Sequence, residues 1–329
     1  MGQPLRVLIT DRAWPDCEIE RAILAPIGAE VVEANSTDEA ELIRLAREAD
    51  AIAACWAQVT PSVIAAATRC KIVARFGIGL DNIPVAACTQ RGIPVTFVPD
   101  YCITEVADHT IALMLASLRK TAFFHLRTKR GEYDLSAGPT LRRLSGLQLG
   151  LVGFGRIAQA VVPRARALGL NVVANSLSQI DHGTQCPMLP LDELFRSSDV
   201  VSLHCPLTAH NRHLVDALAF QTMPSHAIVI NTSRGGLVDH DAAWHALDQQ
   251  QIGGLALDVF DPEPPDLNQP LFADERVIVT PHAGFLSQES VDELRRRTAQ
   301  QVANVLTGRM PEHVVNTETC AHLAVDDSP

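Results

Sequence analysis

The strongest constraint on this chain is a regular alternation of short apolar segments with amphipathic segments of roughly ten residues. The alternation runs through residues 5–97 and begins again at Leu147. Short apolar runs such as Leu5–Thr10 are typical of buried strands, whereas Asp38–Glu48 has the spacing of a helix. Because parallel strands require crossover connections, the alternation predicts an α/β protein built on parallel sheets with helices on both faces.

Residues 103–127 lie between the two alternating regions and contain neither Gly nor Pro. The lack of both helix breakers predicts one long, apolar-rich helix, which would connect two domains or lie in a dimer interface. A second helical pattern, Gln288–Leu306, predicts the last ordered element. The length of 329 residues is comfortable for two domains.

Composition and charge exclude several classes of protein. The net charge of -11 argues against nucleic acid or an anionic membrane as the main partner, because both select for basic patches. No apolar run reaches the length of about eighteen residues that a transmembrane helix needs, and Leu5–Thr10 predicts a strand rather than a signal peptide. The eight cysteines form no CxxC pair, which favours reduced thiols. We therefore expect a cytoplasmic protein without nucleic-acid or membrane partners.

The hexapeptide GFGRIA at residues 153–158 follows the apolar run Leu147–Val152 and opens a helical pattern. It matches the glycine motif of dinucleotide-binding folds, with Ala158 in place of the third glycine. The first glycine permits a tight turn, the second permits close approach of a pyrophosphate, and the helix N-terminus offers N–H groups to it. Ser176 stands where an acid would select NAD, and residues 172–195 contain no Arg or Lys for a 2′-phosphate. NAD is therefore favoured and NADP stays possible.

Three polar residues, Arg234, Glu263 and His282, each follow a predicted strand. The carboxyl ends of parallel strands form the crevice where open α/β sheets bind ligands. Reduction of a keto acid needs a cation for the carboxylate and carbonyl, a proton donor for the forming alkoxide, and a carboxylate that orients the donor. Arg234, His282 and Glu263 suit these roles in that order, since histidine titrates near neutral pH. Each residue alone would more commonly be structural, but their joint occurrence predicts a hydride-transfer site.

The glycine motif and the segments NTSRGG, LDVFDPEP and PHAG together resemble the D-isomer-specific 2-hydroxyacid dehydrogenase family, over about Ala51–Asn316. The resemblance implies two Rossmann-like parallel-sheet domains, a flavodoxin-like substrate domain and a dinucleotide-binding domain, with a cleft between them. It places the discontinuous substrate-binding domain at residues 1–100 and 285–329. Residues 101–284 would form the NAD(P)-binding Rossmann domain, with a dimerisation helix near residues 103–127. The implied protein is a homodimer.

The resemblance also implies roles for individual residues. Arg234, Glu263 and His282 would be catalytic. The cofactor would be bound by Gly153, Gly155, Arg156, Ile157, Ser176, His204, Pro206, Thr208, Thr232, Asp258 and Gly284. The substrate would be bound by Arg234 together with Arg75, Ile78, Gly79, Cys55, Trp56 and Phe285, unless Trp56 or Phe285 is simply a core aromatic. The backbone around Ile78 and Gly79 would hold the substrate carboxylate.

Departures from the family's better-known members narrow the substrate. The loop Ala54–Gln58 contains no cation for a phosphate, which argues against 3-phosphoglycerate. Ile78 stands where phosphite-oxidising relatives have lysine, which argues against phosphite as the substrate. Formate dehydrogenases lack the glutamate found here at Glu263, which argues against formate. With Arg75 and Phe285 at these positions, the chain resembles the C-terminal-binding-protein branch of the family. Arg75 would then provide a second cation for an anionic tail of the substrate.

The sequence therefore predicts an NAD(P)-dependent oxidoreductase that interconverts a 2-oxo acid and its D-2-hydroxy acid. Its substrate would be a small 2-oxo acid with a polar or phosphonate/carboxylate tail, unless Arg75 pairs with a nearby acid such as Asp81. The alternative is an NADH-sensing, corepressor-like binding protein with little turnover, since the corepressors of this branch keep the same catalytic residues. No metal site is expected: His210–His213 and Asp239–Asp241 are the only clusters of ligand residues, and no third ligand is evident beside His210 and His213.

Overall fold

The computed structural model describes residues 4–323 as an α/β protein with two parallel sheets, which confirms the predicted fold class. The chain divides into two compact units. The first contains the chain up to Tyr101 together with the chain from Ser287 onward, and the second is Cys102–Leu286. Phe285, which the sequence analysis assigned to the first domain, therefore lies in the second unit. None of the helices in the described part of the chain has both the length and the apolarity needed to cross a membrane.

The first unit has a five-stranded parallel sheet in the order β2-β1-β3-β4-β5. Its strands are β1 (Leu5–Ile9), β2 (Ala29–Glu33), β3 (Ala51–Ala54), β4 (Val73–Arg75) and β5 (Val95–Thr96). Its helices are α1 (Glu18–Leu24), α2 (Glu39–Ala46), α3 (Pro61–Ala66), α4 (Val85–Gln90) and, after the chain returns, α12 (Gln288–Leu306), with 3-10 turns at Ala25–Ile27 and Thr317–Cys320. This order is that of flavodoxin-like folds and places a topological switch point between β1 and β3.

The central strands of this sheet are almost entirely apolar because helices cover both faces. Leu8 in β1 pairs with Ile52 in β3, which pairs with Val73 in β4, and all three residues are at most 1% exposed. Beyond the carboxyl ends of β1 and β3 the chain reaches Asp11 and Cys55. The polar groups of these two turns therefore meet at the switch point, where open α/β sheets bind ligands.

The second unit has a six-stranded parallel sheet in the order β11-β10-β9-β8-β6-β7. Its strands are β6 (Gln148–Val152), β7 (Asn171–Asn175), β8 (Val200–Leu203), β9 (Ile228–Asn231), β10 (Gly254–Leu257) and β11 (Val277–Val279). Its helices are α5 (Ile103–Arg119), α6 (Thr121–Lys129), α7 (Arg156–Ala167), α8 (Leu191–Ser197), α9 (Ala217–Thr222), α10 (His240–Asp248) and α11 (Pro270–Ala273), with a 3-10 turn at Gly235–Leu237. Two apolar clusters, one on each face of the sheet, bury most of the strand side chains.

The position of Met188 relates this sheet to the dinucleotide-binding folds. Met188 forms a single parallel bridge to Ala174 in β7. Two backbone hydrogen bonds flank it, from Ala174 N to Pro187 O at 2.9 Å and from Leu189 N to Ala174 O at 2.8 Å. When this bridge is counted as a reduced strand, the sheet has the 3-2-1-4-5-6 order of those folds, with one more strand at the far edge. The switch point then lies between β6 and β8.

The prediction of one unbroken helix over residues 103–127 is wrong. The chain forms α5 and α6, which are separated by Lys120 in the left-handed region of the backbone at φ 52°. The N–H of Lys120 donates to Ala116 O and so completes the end of α5. The Lys120 side chain is half-buried near Asp274 and Arg276, and burial lowers its pKa. Because these neighbours are distant in the sequence, no Gly or Pro marks the break.

Candidate active site

The turn that follows β6 has the geometry of a dinucleotide-binding loop. Gly153 has a φ of +87°, and a Cβ there would lie 2.6 Å from the backbone nitrogen of Cys205, so only glycine fits. Gly155, which has no side chain to cap a helix, is the N-cap of α7. A Cβ on Gly155 would meet no atom of residues 4–323 within 4 Å. The space before this helix N-terminus is therefore open, and its N–H groups fit a pyrophosphate.

The other predicted cofactor residues lie at the carboxyl edge of the same sheet. Arg156 and Ile157 form the first turn of α7, and Ser176 directly follows β7. The segments after β8 and β9 contain His204, Pro206, Thr208 and Thr232. The fold thus places these residues on one edge of the second unit, while their individual binding roles stay predictions.

His204 is a poor candidate for proton transfer. Its Nε2 lies 2.9 Å from Ser202 Oγ, and the residue is half-buried. Burial lowers the pKa of His204 to about 4, because the charged form would lose its hydration. At neutral pH the ring is therefore uncharged, which suits an apolar wall for a cofactor better than acid–base chemistry.

The turn that presents Arg234 is fixed by buried polar and glycine residues at the end of β9. The side chain of Asn231, fully buried, donates from Nδ2 to Arg234 O at 2.8 Å and accepts from Ser233 N at 3.1 Å. A Cβ on Gly235 would lie 1.9 Å from the carbonyl carbon of Phe260, so this position requires glycine. The backbone on both sides of Arg234 is thus held in one conformation, and the guanidinium is aimed from a rigid turn.

His282 and Glu263 form the predicted catalytic pair. Nδ1 of His282 lies 2.9 Å from Oε2 of Glu263, and about a third of each side chain is exposed. The second oxygen of Glu263 accepts from Phe260 N at 2.8 Å, which fixes the carboxylate. The Phe285 ring lies edge-on to the imidazole, with centroids 6.2 Å apart. Because Nδ1 faces the carboxylate, the predicted proton transfer to a substrate would involve Nε2.

Asp258 holds the segment that contains His282. It is 1% exposed, and its carboxylate accepts from Thr280 Oγ1 at 2.5 Å, Ala283 N at 2.8 Å and Gly284 N at 2.9 Å. Nε2 of His109 lies 3.3 Å from the same carboxylate. Burial alone would raise the pKa of Asp258, but these hydrogen bonds together lower it, so the side chain is ionised.

The backbone of His282 shows why this support is needed. Its φ is +52°, in the left-handed region that is unfavourable for residues with a Cβ. Its N–H donates to Asp258 O at 2.8 Å. His109 and Thr280 were not predicted from the sequence, although Thr280 directly follows β11 and so shows the same signal as the predicted site residues. The predicted contact of Asp258 with a nicotinamide carboxamide stays a prediction.

In the first unit, the predicted substrate residues lie on the loops after β3 and β4. Arg75 ends β4, and its Nε donates to Asn82 Oδ1 at 3.0 Å, while its Nη1 donates to Phe76 O. Ile78 and Gly79 follow in a half-buried turn. The structure thus brings Arg75 and this turn to the same sheet edge, and their contact with a substrate carboxylate stays a prediction.

Cys55 and Trp56 are neighbours with opposite environments. Cys55 is 4% exposed, its Sγ lies 4.0 Å from Phe76 O, and burial raises its pKa to about 12. Trp56 is 43% exposed. The backbone N–H groups of both residues donate to Asp11, which the sequence analysis did not select. The exposed Trp56 side chain is therefore better placed than the Cys55 thiol for the predicted substrate contact, which stays a prediction.

Two of the residues weighed as metal ligands, His213 and Asp239, have other partners in the structure. Nδ1 of His213 contacts Asp239 Oδ2 at 3.5 Å, and the Asp239 side chain caps α10 by accepting from Ala242 N. Within residues 4–323, no group of three or more His, Cys, Asp or Glu side chains is arranged to hold a metal ion.

Comparison with known proteins gives matches along almost the whole chain. Residues 111–284 match the family model described as D-isomer specific 2-hydroxyacid dehydrogenase, NAD binding domain. A D-3-phosphoglycerate dehydrogenase of Methanocaldococcus jannaschii is 36% identical over 317 residues, which are 95% of this chain but only 59% of that relative's length. A hydroxypyruvate reductase of Thermotoga maritima is 34% identical over 262 residues, which are 79% of this chain and 85% of that protein.

Two solved structures share the fold. A D-lactate dehydrogenase from Aquifex aeolicus, complexed with NAD and lactic acid, has a TM-score of 0.84 and 26% identity, covering 98% of this chain and 100% of its own. An NADPH-dependent glyoxylate/hydroxypyruvate reductase from Sinorhizobium meliloti, in complex with NADP and malonate, has a TM-score of 0.85 and 26% identity, covering 98% of this chain and 99% of its own. The similar structures thus include one bound to NAD and one bound to NADP.

Proposed function

Because the chain belongs to the D-isomer-specific 2-hydroxyacid dehydrogenase family, we propose that this NAD(P)-dependent dehydrogenase reduces glyoxylate, hydroxypyruvate or a similarly small 2-oxo acid to the D-2-hydroxy acid. The observation that supports this most directly is the 2.9 Å contact between His282 Nδ1 and Glu263 Oε2. It provides a proton donor whose orientation is fixed by a carboxylate, at the carboxyl edge of a dinucleotide-binding sheet.

Each catalytic residue has a separate task in this proposal. Arg234 binds the acid and draws electron density from its carbonyl oxygen, which makes the carbonyl carbon more electrophilic. His282 donates a proton from Nε2 to that oxygen as negative charge develops, and Glu263 keeps the ring oriented through Nδ1. Bound NADH or NADPH supplies the hydride. In the direction of oxidation, Nε2 of His282 accepts the proton of the hydroxyl group.

The loop after β3 supports a small, uncharged tail on the substrate. Ala54–Gln58 contains no cation, and the carboxylate nearest its backbone is that of Asp11. A tail phosphate or carboxylate at this loop would therefore be desolvated without a partner, which is costly. The Nε of Arg75, the cation expected to meet such a tail, donates to Asn82. We therefore prefer the hydrogen of glyoxylate or the hydroxymethyl of hydroxypyruvate to the phosphonate or carboxylate tails that Arg75 suggested.

The end of β7 supports NAD over NADP. Ser176 follows the strand, and its Oγ lies 3.2 Å from Ser178 Oγ. Hydroxyl groups can bond a ribose 2′-hydroxyl, whereas a 2′-phosphate calls for a cation, and residues 172–195 contain neither Arg nor Lys.

A homodimer and a cytosolic location complete the proposal. Leu126, Tyr133 and Leu135 lie on α6 and the segment after it, and they are 52%, 94% and 88% exposed. Large apolar side chains on one surface region support a subunit interface there. All eight cysteines are free thiols, which supports a reducing compartment.

The test is oxidation of NADH and of NADPH by the purified protein with a panel of 2-oxo acids. The panel contains glyoxylate, hydroxypyruvate, oxaloacetate and a phosphonate-bearing acid. We expect kcat/KM for the best of the two small acids to exceed that for both anionic-tailed acids by about tenfold or more, with NADH preferred. Tight NADH binding without turnover of any acid would contradict the proposal and favour an NADH-sensing protein.

A further inference from the structure

Asp11, two residues after β1, binds three successive backbone N–H groups of the loop Cys55–Ala57. Cys55 N donates to Oδ1 at 2.9 Å, Trp56 N to Oδ2 at 2.6 Å and Ala57 N to Oδ2 at 3.1 Å. Successive N–H groups that converge in this way form a concave anion site, and here a side chain of the protein fills it. Thr10 Oγ1 donates to Oδ1 at 2.8 Å, so the carboxylate is well bonded in this position.

Asn82 binds the backbone carbonyl groups of the same loop. Its Nδ2 donates to Cys55 O at 3.1 Å and to Ala57 O at 2.9 Å, while its Oδ1 accepts from Arg75 Nε at 3.0 Å. Asn82 is 8% exposed, so these bonds are shielded from water and costly to lose. The loop is therefore fixed on both polar sides and linked through Asn82 to Arg75.

A loop fixed in this way exposes one large side chain. Trp56 is 43% exposed, whereas Cys55 and Ala57 are 4% and 5% exposed. Glyoxylate has only a hydrogen beside its carbonyl group, whereas hydroxypyruvate has a hydroxymethyl group. If Trp56 packs against this tail, the loop's position matters for hydroxypyruvate and hardly for glyoxylate.

We propose that Asp11 is a positioning residue, which holds the Cys55–Ala57 loop against the tail of the 2-oxo acid and so sets the preference between acids with different tails. Asp11 acts through the backbone of the loop and contacts neither the substrate nor the cofactor. The proposal rests on the proposed function, because it needs two 2-oxo acids that the protein turns over.

Asp11→Asn is the sharpest test, since it keeps the size of the side chain but directs an NH2 group at N–H groups that need an acceptor. We expect the KM for hydroxypyruvate to rise about tenfold or more, while its kcat and both constants for glyoxylate change by less than about threefold. Hydrogen exchange measured by mass spectrometry should become faster in the peptide that contains residues 55–57.

Asp50 provides a matched control at the opposite end of β3. It is 4% exposed, and its Oδ2 accepts from Arg6 N at 2.9 Å and from Arg69 Nη2 at 2.9 Å. Asp50→Asn should lower the melting temperature but leave the ratio of the two KM values and the exchange of residues 55–57 unchanged. Asn82→Ala releases the loop from its other side and should give the same KM split if Asp11→Asn does not fold.

Two results would overturn the proposal. One is an equal loss for both acids, as expected of a purely structural carboxylate such as Asp50. The other is unchanged exchange of residues 55–57 in Asp11→Asn. If the wild-type protein reduces neither acid, the proposed function fails and tail selection fails with it, whereas the exchange data still decide whether Asp11 holds the loop.

Discussion

Two aspartates hold loops at the carboxyl edges of the two sheets in the same way. Asp11 follows β1 and binds the loop after the neighbouring strand β3. Asp258 follows β10 and binds the segment after the neighbouring strand β11. Each carboxylate accepts successive backbone N–H groups, so the end of one strand fixes the turn at the end of the next.

The two sites differ in their access to water and in what they hold. Both carboxylates accept from a threonine hydroxyl, but Asp258 is 1% exposed, also contacts the imidazole of His109, and holds the segment with His282. Asp11 is half-buried and holds the loop that exposes Trp56. Since a proton donor must be placed to a fraction of an ångström, we infer that the buried Asp258 serves the chemistry. We infer that the more exposed Asp11 serves the selectivity between 2-oxo acids.

Among changes in the segment held by Asp258, removal of the His282 side chain should lower activity most. We expect His282→Ala to lower kcat/KM by about a thousandfold or more, because no other group donates the proton at that position. Steady-state kinetics with the best acid of the panel measure this. His245→Ala, an exposed histidine on α10, is the matched control and should retain full activity. Near-normal turnover in folded His282→Ala would contradict the inference that the segment held by Asp258 serves the chemistry.

Asp258→Asn should give the next largest effect, because an NH2 group replaces one of the two oxygens that accept hydrogen bonds from the segment with His282. We expect kcat to fall about a hundredfold and the melting temperature to drop, since a buried N–H group loses its partner. Thr280→Val removes one donor of the same carboxylate and should cause a smaller loss of kcat. A loss of stability without a loss of kcat would show that Asp258 is structural and would break the comparison.

Glu263→Gln should reduce kcat about tenfold, less than the two changes above. The amide keeps the shape of the side chain and can still contact Nδ1 of His282, but it no longer stabilises the protonated ring. Comparison with Glu275→Gln, an exposed glutamate of the same unit whose side chain pairs with Arg127, separates this effect from a general change in charge. Equal rates for Glu263→Gln and wild type would leave His282 oriented by its backbone support alone.

The smallest expected effect is on stability and comes from His204. Its pKa of about 4 in the folded protein lies below the ordinary value of 6.5, so the unfolded chain takes up a proton first as the pH falls. Stability is therefore lost between about pH 6.5 and pH 4, by about 2 kcal/mol between pH 7 and pH 5. Urea unfolding of His204→Gln at both pH values should show a correspondingly weaker pH dependence than wild type. Equal pH dependence would contradict burial of an uncharged ring.

The elements with strong periodicity of their own could be predicted from the sequence. The helix predicted at Gln288–Leu306 has those bounds in the structure, and the alternation of strands and helices gave two parallel sheets. The break at Lys120 and the reduced strand at Met188 could not be predicted, because both depend on distant neighbours. Lys120 is helical by propensity, and one bridging residue leaves no pattern of period two.

Part of the candidate site could also be predicted, because polar residues directly after apolar runs are visible in a sequence. His282 and Glu263 were found in this way. Their supports were missed, since the contact between Asp11 and Trp56 spans 45 residues and that between His109 and Thr280 spans 171. The pairing of neighbouring strands decides which turns meet, and spacing along the chain does not encode it.

The buried thiol of Cys55 can be used to measure how often the loop Cys55–Ala57 opens. Burial raises the pKa of Cys55 to about 12, so in the folded protein alkylating reagents find almost no thiolate there near neutral pH. The backbone of the same residue is bound by Asp11 and Asn82. The rate at which iodoacetamide labels Cys55 therefore reports how often this loop opens, and the measurement needs no introduced reporter group.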